Sequence, residues 1–240
     1  MKKILYKFII MAIAMVTFGL FTSCINTITG NGNLVTSEKQ VSGFEEISIS
    51  GSAEVRYHVS EVYRVVVTID ENLDEYVEIS TSNNALNIGT QQGTNLSATK
   101  FLVDVYSPVL TSVSVSGSGK FESVDKIISS TFTSTVSGSG KIEGTIESDS
   151  FSATISGSGN ISITGTSNDA VISVSGSGGF SGDEFMIKNA VVKVTGSGNA
   201  SIHVEDNLVA NISGSGEIKY RGNPEVESNV SGSGTINKIN

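Results

Sequence analysis

A four-residue phrase, Ser-Gly-Ser-Gly, recurs through the second half of the chain at nearly constant intervals. Full copies begin at Ser116, Ser137, Ser156, Ser175, Ser213 and Ser231, with a Thr195 variant among them and a degenerate Ser50-Gly51-Ser52-Ala53 far upstream. Counted at the first glycine of each copy (Gly117, Gly138, Gly157, Gly176, Gly196, Gly214, Gly232), the steps are 21, 19, 19, 20, 18 and 18 residues. A period of about 20 in strand-like sequence marks one supersecondary unit stacked on copies of itself, since a single copy cannot bury its own apolar face.

Reading every second residue shows how the unit is built. One copy runs Phe151, Ala153, Ile155, Gly157, Gly159, Ile161, Ile163, and another runs Val192, Val194, Gly196, Gly198, Ala200, Ile202, Val204. Period-two alternation means a strand with one buried face, and the alternation passes through the glycines without losing phase. Both glycines of each copy, the second set being Gly119, Gly140, Gly159, Gly178, Gly198, Gly216 and Gly234, therefore fall on the inward side of a predicted bend. The outward positions at the bend are Ser116, Ser118, Ser137, Ser139, Ser156, Ser158, Ser175, Ser177, Ser197, Ser213, Ser215, Ser231 and Ser233. On rungs about 4.8 Å apart these hydroxyls are expected to form columns able to hydrogen-bond one another and to offer a binding face.

An antiparallel meander with glycine hairpin turns is the alternative, but identical sequence at a fixed interval favours identical stacking. Turn signals fall midway between the bends, at Gly144, Gly165-Thr166-Ser167-Asn168-Asp169, Gly182-Asp183, Glu205-Asp206-Asn207 and Gly222-Asn223-Pro224. Each rung is thus predicted to hold at least two short strands, a glycine bend and a polar corner. The expected fold is all-β, a right-handed parallel β-helix (β-solenoid) with rungs of 18–21 residues over 112–240. Residues 41–111 are less regular and read as N-terminal rungs plus a cap, with one helical turn at Glu71-Asn72-Leu73-Asp74-Glu75.

Residues 1–24 read as a leader: Lys2, Lys3 and Lys7 precede an apolar run from Phe8 to Leu20 that is too short for an ordinary membrane span. It ends in Phe21-Thr22-Ser23-Cys24, which resembles the lipobox of bacterial lipoproteins and makes Cys24 the expected lipidation site. The other reading is a plain secretory signal that leaves Cys24 as a stray thiol. Residues 25–40, polar and rich in Asn and Gly, read as a flexible tether. Cys24 is the only cysteine, so no internal disulfide can form. Removing the leader takes away three lysines and no acid, leaving 12 basic against 24 acidic side chains, a net charge of −12. That balance argues against nucleic acid or anionic lipid as a partner, since both need a positive face.

With leader, tether, irregular strands and glycine ladder in view, the chain resembles the DUF2807 family, the "putative auto-transporter adhesin, head GIN domain". The likeness runs from about residue 43 to the C-terminus. It includes Gly43-Phe44-Glu45-Glu46-Ile47-Ser48-Ile49-Ser50-Gly51, Asp70-Glu71-Asn72-Leu73 and Pro108-Val109-Leu110-Thr111-Ser112-Val113. The resemblance implies a right-handed parallel β-helix on the envelope of Gram-negative bacteria, often lipid-anchored, with an adhesin role and no catalytic residues to carry over.

Candidate chemistry is sparse. Gly117-Ser118-Gly119-Lys120 and Gly138-Ser139-Gly140-Lys141 look like the tail of a phosphate loop, but Phe121 and Ile142 stand where a magnesium-binding hydroxyl belongs and no helix follows. His58 and His203 have no Cys or second His nearby, so no metal and no cofactor are expected. The carboxylate pairs Glu143 with Glu147 and Asp183 with Glu184 offer acid–base chemistry on a glycan in principle, and solvated corners in the plainer reading. The platforms for sugar stacking are Tyr57, Tyr63, Tyr76, Tyr106 and Tyr220. Three function classes follow. The first is a non-enzymatic, lipid-anchored outer-membrane scaffold for adhesion to a glycan or protein surface, able to self-associate through its ends or faces. The second is a polysaccharide-acting β-helix enzyme, and the third is a structural lipoprotein facing the periplasm.

Overall fold

The computed structural model describes residues 26–240; the leader and Cys24 lie outside the described residues. In chain order the strands are β1 (Asn26–Thr29), β2 (Leu34–Lys39), β3 (Glu46–Gly51), β4 (Glu54–Val59), β5 (Arg64–Asp70), β6 (Val77–Ser82), β7 (Ala85–Thr90), β8 (Thr94–Ser97), β9 (Phe101–Ser107) and β10 (Ser112–Gly117). There follow β11 (Lys120–Ser123), β12 (Ile127–Gly138), β13 (Lys141–Gly157), β14 (Asn160–Gly176), β15 (Gly179–Gly196), β16 (Asn199–Gly214), β17 (Glu217–Arg221), β18 (Glu225–Gly232) and β19 (Thr235–Lys238). Among the described residues one 3-10 segment, Glu71–Tyr76, sits where the sequence places its helical turn, and its Leu73 is buried.

From β10 onward every rung pairs in parallel with the one before it. Gly51, Gly117, Gly138, Gly157, Gly176, Gly196, Gly214 and Gly232 form one continuous register column across eight rungs. The fold is a parallel β-solenoid of about 7 turns. Stacked apolar columns fill it: Val115, Val136, Ile155, Val174, Val194 and Ile212 form one, and Phe121, Ile142, Ile161, Phe180, Ala200 and Ile218 another. Phe132 and Phe151 stack with ring centroids 6.5 Å apart, and Phe185 packs edge-on against Phe151 at 4.9 Å.

The rungs differ from the sequence expectation in one respect. Strands β13 to β16 each run 16 to 18 residues without a break, where the sequence predicts at least two short strands per rung. Each rung turns at the same place as its neighbour, so backbone partners are kept through the corner and the two strands merge. The inward phase nevertheless slips by one residue there. Ile142 and Ile146 face the core before the corner and Phe151, Ala153 and Ile155 after it, with Asp149 dropping out of register. Gly144 lies within β13, and the register of β15 on β16 shifts between Gly182 and Met186.

The N-terminal part is less regular. After the first rung, β3 and β4, residues 60–111 fold back beneath it. Strand β7 continues the parallel stack under β3, and β9 does so under β4. Beyond them the order turns antiparallel, with β6 on β7, and β5 and then β2 beyond β9. Reversing direction ends the repeat and covers the open end of the interior. The flexible tether expected at 25–40 is also corrected. Strand β1 pairs in parallel with β8, and β2 pairs antiparallel with β5. The Asn and Gly residues between them turn the chain sharply, and the alternating Val35, Ser37 and Lys39 pack half-buried along β5.

Candidate functional site

The bend is the most repeated local structure, and its two glycines do different things. At Gly157 φ is +114°, and a methyl group there would lie 2.6 Å from the Gly138 carbonyl oxygen of the rung below. That oxygen already accepts two hydrogen bonds, from the Ser158 and Gly159 amides, each at 2.9 Å. Gly159 is buried, and its missing side chain makes room for the Val136 methyl and the Gly140 carbonyl. The second glycine therefore points inward as the alternation predicts. The first, half-exposed or exposed in each full repeat, turns the chain instead of facing the core.

The serines on either side of the first glycine, from Ser116 and Ser118 up to Ser231 and Ser233, are all exposed. They stand in register columns but do not bond one another. Among the described residues, the side-chain ladders run along other columns. Thr145 meets Thr164 at 2.9 Å and Ser148 donates to Ser167 at 3.2 Å. At the polar corner the Asn168 amide donates to Asp149 at 2.9 Å, Asn189 to Asp169 at 3.0 Å, and Asn207 to Asn189 at 2.8 Å. The bend hydroxyls thus remain available to a partner.

Beside them on the same outward surface runs an apolar stripe the sequence reading missed. Val171, Val191 and Val209 occupy neighbouring rungs in one column, and the first two are about half exposed. Their signal was present as valines at outward positions of the alternation. A separate shallow groove of about 550 Å³ lies along the polar corner, lined by Ile128, Glu147, Asp149, Thr166, Met186 and Lys188.

Most of the basic side chains pair with a carboxylate. Lys120 contacts Glu122 at 2.8 Å and Glu143 at 3.1 Å, and Lys141 also contacts Glu143. The Lys141 and Lys120 ammonium groups outweigh burial and hold the Glu143 carboxyl below the ordinary carboxylate range. Glu147 pairs separately with Lys126 at 2.7 Å, and Asp183 accepts from the Ser201 hydroxyl at 2.7 Å. Of the carboxylates weighed for glycosidic chemistry, Glu143 is thus held in its ionised form by its two lysine partners. A general acid needs its carboxyl pushed the other way.

On the cap, Arg56 binds Asp104 through two hydrogen bonds, 2.8 and 2.9 Å, and His58 approaches the same carboxylate at 3.4 Å. Burial raises the Asp104 pKa, but Arg56 and His58 outweigh it and the net shift is downward. Among the described residues no group of three or more His, Cys, Asp or Glu could hold a metal ion. Of the tyrosines proposed as sugar platforms, Tyr57 is buried and donates to the Ser107 carbonyl at 3.1 Å. Tyr106 stacks on His58 at 4.6 Å and has the Arg64 guanidinium 5.4 Å from its ring centre, while Tyr76 and Tyr220 pack against the core. Tyr63 keeps an exposed face while packing edge-on to Phe44.

The family model described as DUF2807, putative auto-transporter adhesin, head GIN domain, matches residues 43–224. The chain belongs to that family. Similar solved structures include a putative lipid binding protein from Parabacteroides distasonis ATCC 8503, with 30% identity, a TM-score of 0.75 and coverage of 90% of this chain and 100% of that one. A putative adhesin from Parabacteroides merdae ATCC 43184 shares 28% identity at a TM-score of 0.73, with coverage of 90% and 100%. A putative adhesin from Bacteroides fragilis NCTC 9343 has the same fold at a TM-score of 0.84 with 19% identity, over 88% and 100% of the two chains. No curated protein gives a significant match.

Proposed function

We propose that this DUF2807 protein is a lipid-anchored, non-enzymatic protein of the cell envelope whose solenoid is a scaffold for adhesion to glycan surfaces. The observation that carries the reading is the regular outward face at the bends. Exposed hydroxyls repeat about every 4.8 Å along the stack, free of side-chain ladders, beside the valine stripe. A face of this kind suits a repetitive polar partner, engaged by many weak contacts whose sum rises with the number of rungs in use. The family's adhesin description and the adhesin neighbours support the binding role. The Phe21-Thr22-Ser23-Cys24 motif supports the anchor.

The test is retention of beads coated with the full mature chain on an array of immobilised polysaccharides. Wild-type beads are expected to bind, and beads carrying Ser156→Glu, Ser158→Glu, Ser175→Glu and Ser177→Glu together to release at equal thermal stability. Binding that survives those changes refutes the face. Shortening of a bound polysaccharide on incubation refutes the non-enzymatic reading.

A further inference from the structure

The N-terminal segment that reads as a tether is folded into the cap, and this fixes where the cap sits. Strand β1 begins at Asn26, so only Ile25 separates it from Cys24. Two residue steps span at most about 7 Å. A freely flexible segment of 16 residues has a root-mean-square reach of about 20–24 Å. The segment is also locked in place. The buried Asp70 carboxylate accepts from the Gly32 and Thr99 amides, both at 2.7 Å, and the Gly30 amide donates to the Ser97 carbonyl at 2.9 Å. Asn72 ties both ends of the same turn, donating to the Thr29 carbonyl and accepting from the Asn31 amide, each at 2.9 Å.

Resting on the lipid-anchor reading above, we infer that the β1–β8 end of the cap sits directly on the lipid headgroups and holds the last rung away from the membrane. The surface fits that partner. In the β1–β8 pair, Ile28 and Leu96 turn inward onto the core, while Thr27, Thr29, Asn95 and Ser97 point out. These outward groups are hydroxyls and amides, able to hydrogen-bond phosphate and ester oxygens. The chain from Ile79 to Thr99 carries no charge, nor does that from Ile25 to Ser37, in a protein whose mature net charge is −12. Acidic side chains, which anionic headgroups would repel, are thus absent from the two strands that the anchor presses against the bilayer. The Gln91–Gly93 turn lies next to the anchored end, because Asn26 pairs with Thr94. The bend glycines from Gly51 to Gly232 span seven rung steps, about 34 Å, along the stack.

The experiment places one fluorophore on the lipoprotein in phosphatidylethanolamine–phosphatidylglycerol vesicles that carry a headgroup-attached quencher. Label positions are Gln92→Cys or Thr27→Cys at the cap, and Asn237→Cys at the last rung. Acylated Cys24 has no free thiol, so the label goes to one position and the unlabelled parent reports acylation. The cap labels are expected to quench several-fold more than the distal one, and a flexible Gly/Ser insertion between Ile25 and Asn26 to abolish the difference while flotation with vesicles persists. Equal quenching of both ends in a chain that floats overturns the docking and leaves the anchor standing. A parent chain whose Cys24 reacts with the label and which does not float overturns the anchor, and the docking with it.

Discussion

Gly157→Ala adds one methyl group at a point where the backbone is left-handed and the rung below is in contact. Two penalties act there, and the protein contains positions that separate them. Gly51, the equivalent residue of the first rung, has φ +92° and nothing within 4 Å of an added methyl, so Gly51→Ala carries backbone strain alone. That strain is about 1–3 kcal/mol. Gly157 has φ +114° and would place the methyl 2.6 Å from the Gly138 oxygen and 3.3 Å from its Cα and carbonyl carbon. Those are backbone atoms of a paired rung and cannot rotate away. Forcing the rungs apart adds an overpacking cost of about 1–3 kcal/mol, so Gly157→Ala is expected to lose about 2–6 kcal/mol in all. Each kcal/mol lowers the melting temperature of a chain this size by about 2–4 °C, measurable by circular dichroism at the β-sheet band. Exposed Ser158→Ala is the control, expected within about 0.5 kcal/mol of the parent. If Gly157→Ala costs no more than Gly51→Ala, close stacking of the glycines is not what selects them.

Three further outcomes follow from the packing. Ser134 is buried and its hydroxyl has no partner, while the next rung carries Ala153 at the same place, so Ser134→Ala is expected to raise stability by about 1–2 kcal/mol in urea unfolding. A loss on that change would mean the hydroxyl is satisfied. Phe151→Ala removes the ring between Phe132 and Phe185 and should cost about 3–5 kcal/mol by the same assay. Burial raises the Asp70 pKa, but hydrogen bonds from Gly32, Thr99 and Lys100 outweigh it and leave the pKa depressed. Its contribution is therefore complete above the ordinary carboxylate pKa and is lost as pH falls through the lower folded value. Hydrogen exchange should show the amides of 26–33 losing protection in that acid range, and Asp70→Asn should lose it already at neutral pH; unchanged protection in the variant would remove Asp70 from the lock.

The repeat was legible because it is local. Ser156-Gly157-Ser158-Gly159 and its copies state the period, the inward phase and the bend in four letters, and parallel stacking follows since like must lie on like. Val171 and Val191 were equally visible as outward apolar residues, but nothing in sequence says that an exposed valine is part of a stripe until the register is known. The cap was not legible. Whether Val65-Val66-Val67 pairs parallel or antiparallel depends on which strand lies beside it, and its antiparallel partners stand 26–30 residues upstream in Leu34–Lys39 and 36–40 residues downstream in Phe101–Ser107.

Sequence alone determined that this chain is a coil of glycine-bent rungs with hydroxyls outside, because period and alternation are properties of neighbouring residues. Tertiary structure alone decided that the first glycine serves the turn and the second the interior, that the bend hydroxyls stay free, and that the N-terminal segment is part of the cap. The physical reason is the same in each case: a backbone amide or a short side chain takes its role from the partner it meets, and those partners, such as the Asp70 carboxylate for Gly32 and the Gly138 carbonyl for Gly159, come from distant parts of the chain.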